Sequence, residues 1–110
     1  MKISYKSKKL ERNLTVDKDI LKAYSNMAKK VKMRMIQLKA AENLGVIAKL
    51  PSLRLHQYAG NRKGEWSIDL HKNWRIIFEV NHNPIPRKDD DGVDINVVTA
   101  IKITSVEDPH

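Results

Sequence analysis

Arg54-Leu55-His56, then Trp66-Ser67-Ile68-Asp69-Leu70 beyond a Gly60-to-Gly64 turn, then Asn73-Trp74-Arg75-Ile76-Ile77-Phe78, make up the stretch on which the fold turns. Trp66, Ile68 and Leu70 recur at every second position, and so do Trp74, Ile76, Phe78 and Val80. Alternation of this kind places each set on one face of a strand, and two such runs so close together predict an antiparallel pair. The same phase assigns both tryptophans to the core and turns Arg75 to the opposite face. Extended upstream, it points Leu53 and Leu55 inward and Arg54 and His56 outward. Paired strands then bring His56 and Arg75 together on the open face of the sheet. An arginine in an otherwise apolar strand needs an anion, either an internal carboxylate such as Asp69 or Glu79 or a phosphate from outside.

Upstream of that stretch the periodicity changes. Residues 2 to 5 read as a short strand and Ser7 to Asn13 as one or two helical turns. From Asp17 to about Ala41, apolar residues recur at Ile20, Tyr24, Met27, Ala28, Val31, Met35 and Leu38, the three-and-four spacing of one amphipathic helix. Thr15 or Asp17 is placed to cap it, and Asp17 and Asp19 suit its positive end. Lys18, Lys22, Lys29, Lys32 and Lys39 fall largely off the apolar stripe; on one helix alone, such lysines are an ordinary solvated face. Ala41 to Leu50 either continues the helix or breaks at Asn43 to Gly45, where Gly45 suits a left-handed cap, and Pro51 cannot continue a helix. Downstream, Asn81 to Gly92 is a polar loop rich in turn formers. Val93 to Ile103 is the expected last strand, with Val93, Ile95, Val97, Ile101 and Ile103 in one phase and Lys102 in the other.

The chain has 110 residues, the size of one domain, and is read as a single domain over 1–110. It contains no cysteine, which fits a reducing compartment, and no apolar run reaches membrane-spanning length, so a soluble cytoplasmic protein with no membrane association is expected. The formal charge of +8 is uneven: residues 1 to 50 carry 13 Lys and Arg against 4 Asp and Glu, a net of +9, while residues 51 to 110 carry 8 against 9, a net of −1. The helical half is therefore the electrostatic handle for a polyanion, with an affinity that falls with salt.

Several pieces then carry a family resemblance: Leu55-His56, Gly60-Asn61-Arg62-Lys63-Gly64, Trp66-Ser67-Ile68, Trp74-Arg75-Ile76-Ile77-Phe78 and the closing Glu107-Asp108-Pro109-His110. In this order and spacing the chain resembles the HigB branch of the RelE/ParE toxins of type II toxin-antitoxin systems. The resemblance is strongest over residues 53 to 80 and at the last four residues. It implies an α+β fold, with N-terminal helices on one face of a twisted antiparallel sheet of four or five strands and His56, Arg75 and Lys102 on the other face. It also implies a toxin that cuts messenger RNA on the translating ribosome and so inhibits translation. Its partners would be the ribosome, mRNA and a helix-turn-helix antitoxin of the HigA type, with operator DNA reached through that antitoxin.

Cleavage by attack of the RNA's own 2′-hydroxyl needs a base, an acid and fixed positive charge for the phosphorane, and no cofactor. Histidine suits the first two roles with an ordinary pKa of about 6.5, and arginine suits the third because its planar fork grips phosphate and stays charged. The resemblance assigns His56, Arg75 and the terminal His110 to this chemistry, with the order of base and acid left open. Arg62, Lys63 and Lys102 are the expected phosphate contacts, and Lys22 and Lys29 the expected contacts to ribosomal RNA. Two departures weaken the match. Ala59 stands where many relatives have lysine, and Pro109 where many have tyrosine, leaving Lys63 and Lys102 to compensate. Gyrase inhibition of the ParE kind is the alternative function, and a degenerate co-repressor module is another. The Asp89-Asp90-Asp91-Gly92 run fails as a calcium loop because Arg87 and Val98 fall at ligand positions, and the four histidines lack metal-ligand spacing, so no metal is expected.

Overall fold

A computed structural model of the protein describes residues 1–108. In chain order the elements are β1 (Lys2–Tyr5), α1 (Lys8–Thr15), α2 (Asp17–Tyr24), α3 (Ala28–Ala40), α4 (Leu44–Ala48), β2 (His56–Gln57), β3 (Glu65–His71), β4 (Trp74–Val80) and β5 (Ala100–Glu107). The strands form one five-stranded sheet in the order β1-β5-β4-β3-β2. Three pairings are antiparallel, whereas β1 runs parallel to β5. The α+β architecture and the strand number thus match expectation, with one parallel pairing at the β1 edge.

The helices cover one face. Trp66, Ile68, Leu70, Ile76, Phe78, Ile101 and Ile103 from the sheet join Leu14, Ile20, Val31, Met35 and Leu38 from the helices in a single core. The alternation of β3 and β4 is realised: the ladder sets Trp66 opposite Phe78 and Ile68 opposite Ile76. Trp74, at the start of β4, is only partly buried against this core.

Three local expectations are corrected. The helix predicted from Asp17 to Ala41 is two helices, because Ser25 adopts φ 47°, ψ −116° and a 3-10 turn spans Ser25–Met27. A positive φ at a serine ends the ladder while the buried stripe continues through Met27 and Ala28. Neither Thr15 nor Asp17 caps α2: Val16 occupies that position, and the Thr15 hydroxyl donates back to the Glu11 carbonyl at 2.6 Å. Beyond α3 the break falls before Asn43, whose side chain accepts from the Val46 amide and starts α4, so Gly45 lies inside a helix and not at a cap.

Two strand expectations also change. Pro51–Leu53 is a 3-10 turn ending in Arg54 at φ 44°, and β2 proper begins at His56. Leu53 is buried from the turn, so its burial came from a different geometry than strand alternation. The last strand starts at Ala100, not Val93: Val93 makes an isolated bridge to Arg87, and Ile95–Val97 forms a 3-10 turn with Val97 half exposed. Among the described residues no helix is long and apolar enough to cross a membrane.

Two irregularities shape the sheet near the open face. The β4–β5 register slips between Ile77 and Phe78, where Thr104 donates its hydroxyl to the Ile77 carbonyl. The β3–β4 register slips between Asp69 and His71. There Arg34 of α3, 7% exposed, donates Nε–H to the Asp69 carbonyl at 2.8 Å and Nη1–H to Gln37. A buried guanidinium thereby pins the bulge that carries Asp69.

Candidate RNA-cleavage site

Ladder register decides which side chains share the open face, since directly paired residues point the same way. His56 pairs with Ser67, which pairs with Ile77 and then Ser105. One row along, Asp69 pairs with Arg75 and Arg75 with Glu107. One row the other way, Glu65 pairs with Glu79 and Glu79 with Lys102. His56, Arg75 and Lys102 therefore lie on the face away from the helices.

Between the first two rows opens a cleft of about 290 Å³ lined by Arg54, Leu55, His56, Ser67, Asp69 and Arg75. The left-handed backbone at Arg54 turns the chain into this cleft, a conformation that costs a non-glycine residue and gathers at functional sites. Asp69 Oδ1 lies 3.8 Å from Arg75 Nε, and Asp69 Oδ2 lies 3.7 Å from Arg54 Nε. Of the two carboxylates named from sequence as internal partners for Arg75, Asp69 is the one in place. Arg75 Nη1 also donates to the Tyr58 hydroxyl at 3.3 Å, and the Tyr58 ring meets the His56 ring edge-on at 4.7 Å between centroids. One tyrosine thus touches both expected reacting side chains.

Arg62 does not face the cleft as a free cation. Its Nε and Nη2 donate to Glu65 at 2.8 and 3.1 Å, and its Nη1 and Nη2 donate to the two oxygens of Glu107 at 3.1 Å each. Its guanidinium carbon also sits 4.9 Å from the centre of the Tyr58 ring. The hydrogen bonds to Glu65, and next those to Glu107, make Arg62 hold its proton more tightly than an ordinary guanidinium. In the free protein Arg62 is a strut, and a fork filled by two carboxylates has little left to offer the phosphate expected there. The strut ties the turn before β3 to the end of β5. Across the open face Arg54, Arg62 and Arg75 are matched by Asp69, Glu65 and Glu107, so these six groups sum to no net charge.

The sequence model of a family described as "RelE-like toxin of type II toxin-antitoxin system HigB" matches residues 3–89. The chain belongs to the HigB-like toxins. Among solved structures, a "YoeB/ParE toxin from Agrobacterium tumefaciens" superposes with a TM-score of 0.55 at 11% identity, covering 100% of both chains, a likeness of fold alone. No curated protein gives a significant match. Membership places this HigB-like toxin in a two-component system, with an antitoxin as its partner.

The other expected contacts spread over the molecule. Lys102 pairs with Glu79, four residues along β4 from Arg75, which at strand rise is about 13 Å from the cleft. Lys63 is exposed on the turn before β3. Lys22 and Lys29 are exposed on the helical layer, behind the sheet; Lys22 joins Lys9 and Arg12 around a groove of about 530 Å³ between α1 and α2. His110 lies outside the described residues. Sequence reasoning missed Tyr58 and Glu107. Tyr58 is in phase with His56, two residues away, which was the available signal, whereas Glu107 reaches Arg62 across 45 positions with no local sign.

The strut gives this HigB-like toxin an acid-sensitive contact. Glu65 and Glu107 are both held below their ordinary value of 4.5, each chiefly by hydrogen bonds from Arg62 and Glu107 also by Ser105. A carboxyl lowered in the folded state contributes stability above its unfolded value and loses it as pH falls through the lowered one. The Glu65→Gln/Glu107→Gln double variant is expected to lose less stability than wild type between about pH 5 and 3 in urea titrations. Parallel acid limbs for the two proteins would show that the strut adds nothing to folding.

Proposed function

We propose that this HigB-like toxin is an endoribonuclease that cuts mRNA held on the translating ribosome. The observation that carries the reading is that His56 and Arg75, two groups suited to 2′-hydroxyl attack, line one cleft on the open face of the sheet. In this scheme a base removes the 2′-hydroxyl proton, the oxygen bonds to phosphorus, and the P–O5′ bond breaks as an acid protonates the leaving oxygen. His56 fills one of those proton-transfer roles and His110 the other, the second assigned by resemblance. Arg75 stabilises the phosphorane through its free N–H groups, exchanging Asp69 for the phosphate.

The ribosome supplies what so few groups cannot. Orienting the sugar and phosphate in line is worth up to about 7 to 11 kcal/mol in favourable cases. The helical layer, with Lys22 and Lys29 exposed, is the surface assigned to ribosomal RNA, and Lys63 and Lys102 to the mRNA backbone beyond the cleft. A HigA-like helix-turn-helix antitoxin, and operator DNA through it, complete the proposed set of partners.

Induced expression without antitoxin, with mRNA 5′ ends mapped in translated and untranslated versions of one transcript, tests the reading. Cuts confined to the translated transcript and lost in Arg75→Ala are expected. Growth arrest without cuts would overturn it in favour of gyrase inhibition, and no arrest would favour a co-repressor without activity.

A further inference from the structure

We propose that Ser67 is a substrate-contacting residue whose hydroxyl donates to a non-bridging oxygen of the scissile phosphate. The inference rests on the nuclease reading and adds to it a group at the floor of the same cleft. Ser67 is 1% exposed, and its Oγ has no hydrogen-bond partner among the described residues. A buried hydroxyl without a partner is costly, and folded proteins carry few of them. The residues on either side show that the position could have been apolar, since Ile77, its neighbour on β4, is buried on the same face at 1% exposure. An alanine there would remove the unpaired group at no cost in packing beyond one oxygen.

The surroundings suit an anion as that partner. Ser67 lines the cleft with His56 on one side and Arg54, Asp69 and Arg75 on the other. Its pairing partner His56 is exposed and free of a ladder beyond β2, while Asp69 reaches the two neighbouring arginines only at 3.7 and 3.8 Å, beyond hydrogen-bond length. The serine oxygen itself is shielded, so an acceptor entering between His56 and Arg75 reaches it once the side chain turns toward the cleft. Serine has a single heavy-atom rotor, and a turn about χ1 moves its oxygen between staggered positions without shifting the strand. A phosphate that displaces Asp69 from Arg75 thereby gains a second donor, and the hydroxyl gains an acceptor it lacks in the free protein.

This reading sets stability and activity against each other. In Ser67→Ala the rate of mRNA cleavage at saturating toxin on programmed ribosomes is expected to fall about 10- to 100-fold, the usual effect of losing a hydrogen bond to a charged group. The toxin concentration giving half-maximal rate should stay within about threefold, because ribosome docking uses the helical face. The melting temperature should be unchanged or higher, because an unsatisfied group has been removed. A structural hydroxyl would instead lower the melting temperature. Arg75→Ala, measured in parallel, separates the two levels of inference: cleavage surviving in Arg75→Ala defeats the nuclease site itself. Cleavage lost in Arg75→Ala but within twofold of wild type in Ser67→Ala defeats the role of Ser67 alone. A Ser67→Ala protein that is both slower and less stable than wild type would likewise overturn it.

Discussion

Arg75→Ala is expected to slow cleavage of ribosome-bound mRNA by about 10²- to 10³-fold, the cost of removing one preorganised donor from a site of developing negative charge. Arg75→Lys should recover little of that loss. The wild-type guanidinium is held by its Nη1 contact to the Tyr58 hydroxyl and lies beside Asp69 until phosphate takes that place, so its N–H groups are aimed before substrate arrives. A lysine keeps the charge but has one nitrogen on a flexible stem and cannot keep the Tyr58 contact while presenting a fork to phosphate. Single-turnover cleavage on programmed ribosomes checks this, and a lysine variant within threefold of wild type would mean that charge alone suffices. Because Tyr58 joins Arg75 to His56, a displaced arginine should also loosen the histidine, so the two substitutions together should cost less than the sum of their separate effects.

The largest effect on stability is expected at Phe78. Its side chain is fully buried, and in the ladder it stands between Trp66 of β3 and Ile103 of β5, in the middle of the sheet's covered face. Phe78→Ala should cost about 3 to 5 kcal/mol, the lost transfer energy of the ring plus the cavity left by a sheet that cannot close around it. Against a typical total of about 5 to 15 kcal/mol this is a large share. At about 4 °C per kcal/mol the melting temperature should drop by roughly 12 to 20 °C. Leu21→Ala is the matched control, because Leu21 is 62% exposed and should change stability by less than about 0.5 kcal/mol. If the two variants melted together, the core would not be organised around β4.

Particular residues show what could be foreseen from sequence. The alternation in Trp66-Ile68-Leu70 and Trp74-Ile76-Phe78 predicted the strands, their pairing and the outward turn of Arg75, because a two-sided sheet leaves a period-2 mark that few other structures imitate. The helical stripe predicted burial correctly through Met27 and Val31, yet concealed the break at Ser25: a two-helix hairpin can keep its apolar residues facing one core across the turn. At Leu53 and at Val93 to Val97, alternating apolar residues belonged to 3-10 turns and an isolated bridge, which short windows do not distinguish from strands. The site divides along the same line. His56, Arg75 and Asp69 lie within 20 residues of one another and their phase brought them together, whereas the Arg62 strut depends on Glu107, and its choice of partner is a property of the tertiary fold.

The position of β5 bears on when the protein becomes dangerous to the cell that makes it. Residues 100–107 lie between β1 and β4, and the same strand brings Glu107 to Arg62. During synthesis the first strand emerges early and must wait, edge unpaired, for a partner translated about a hundred residues later. Contacts of such long sequence separation form slowly. A nascent chain interrupted before residue 100 lacks β5, so β1 has no partner, β4 has an open edge and the strut is missing, a state prone to aggregate. The sheet that carries the cleft is therefore complete only once the final strand has been made.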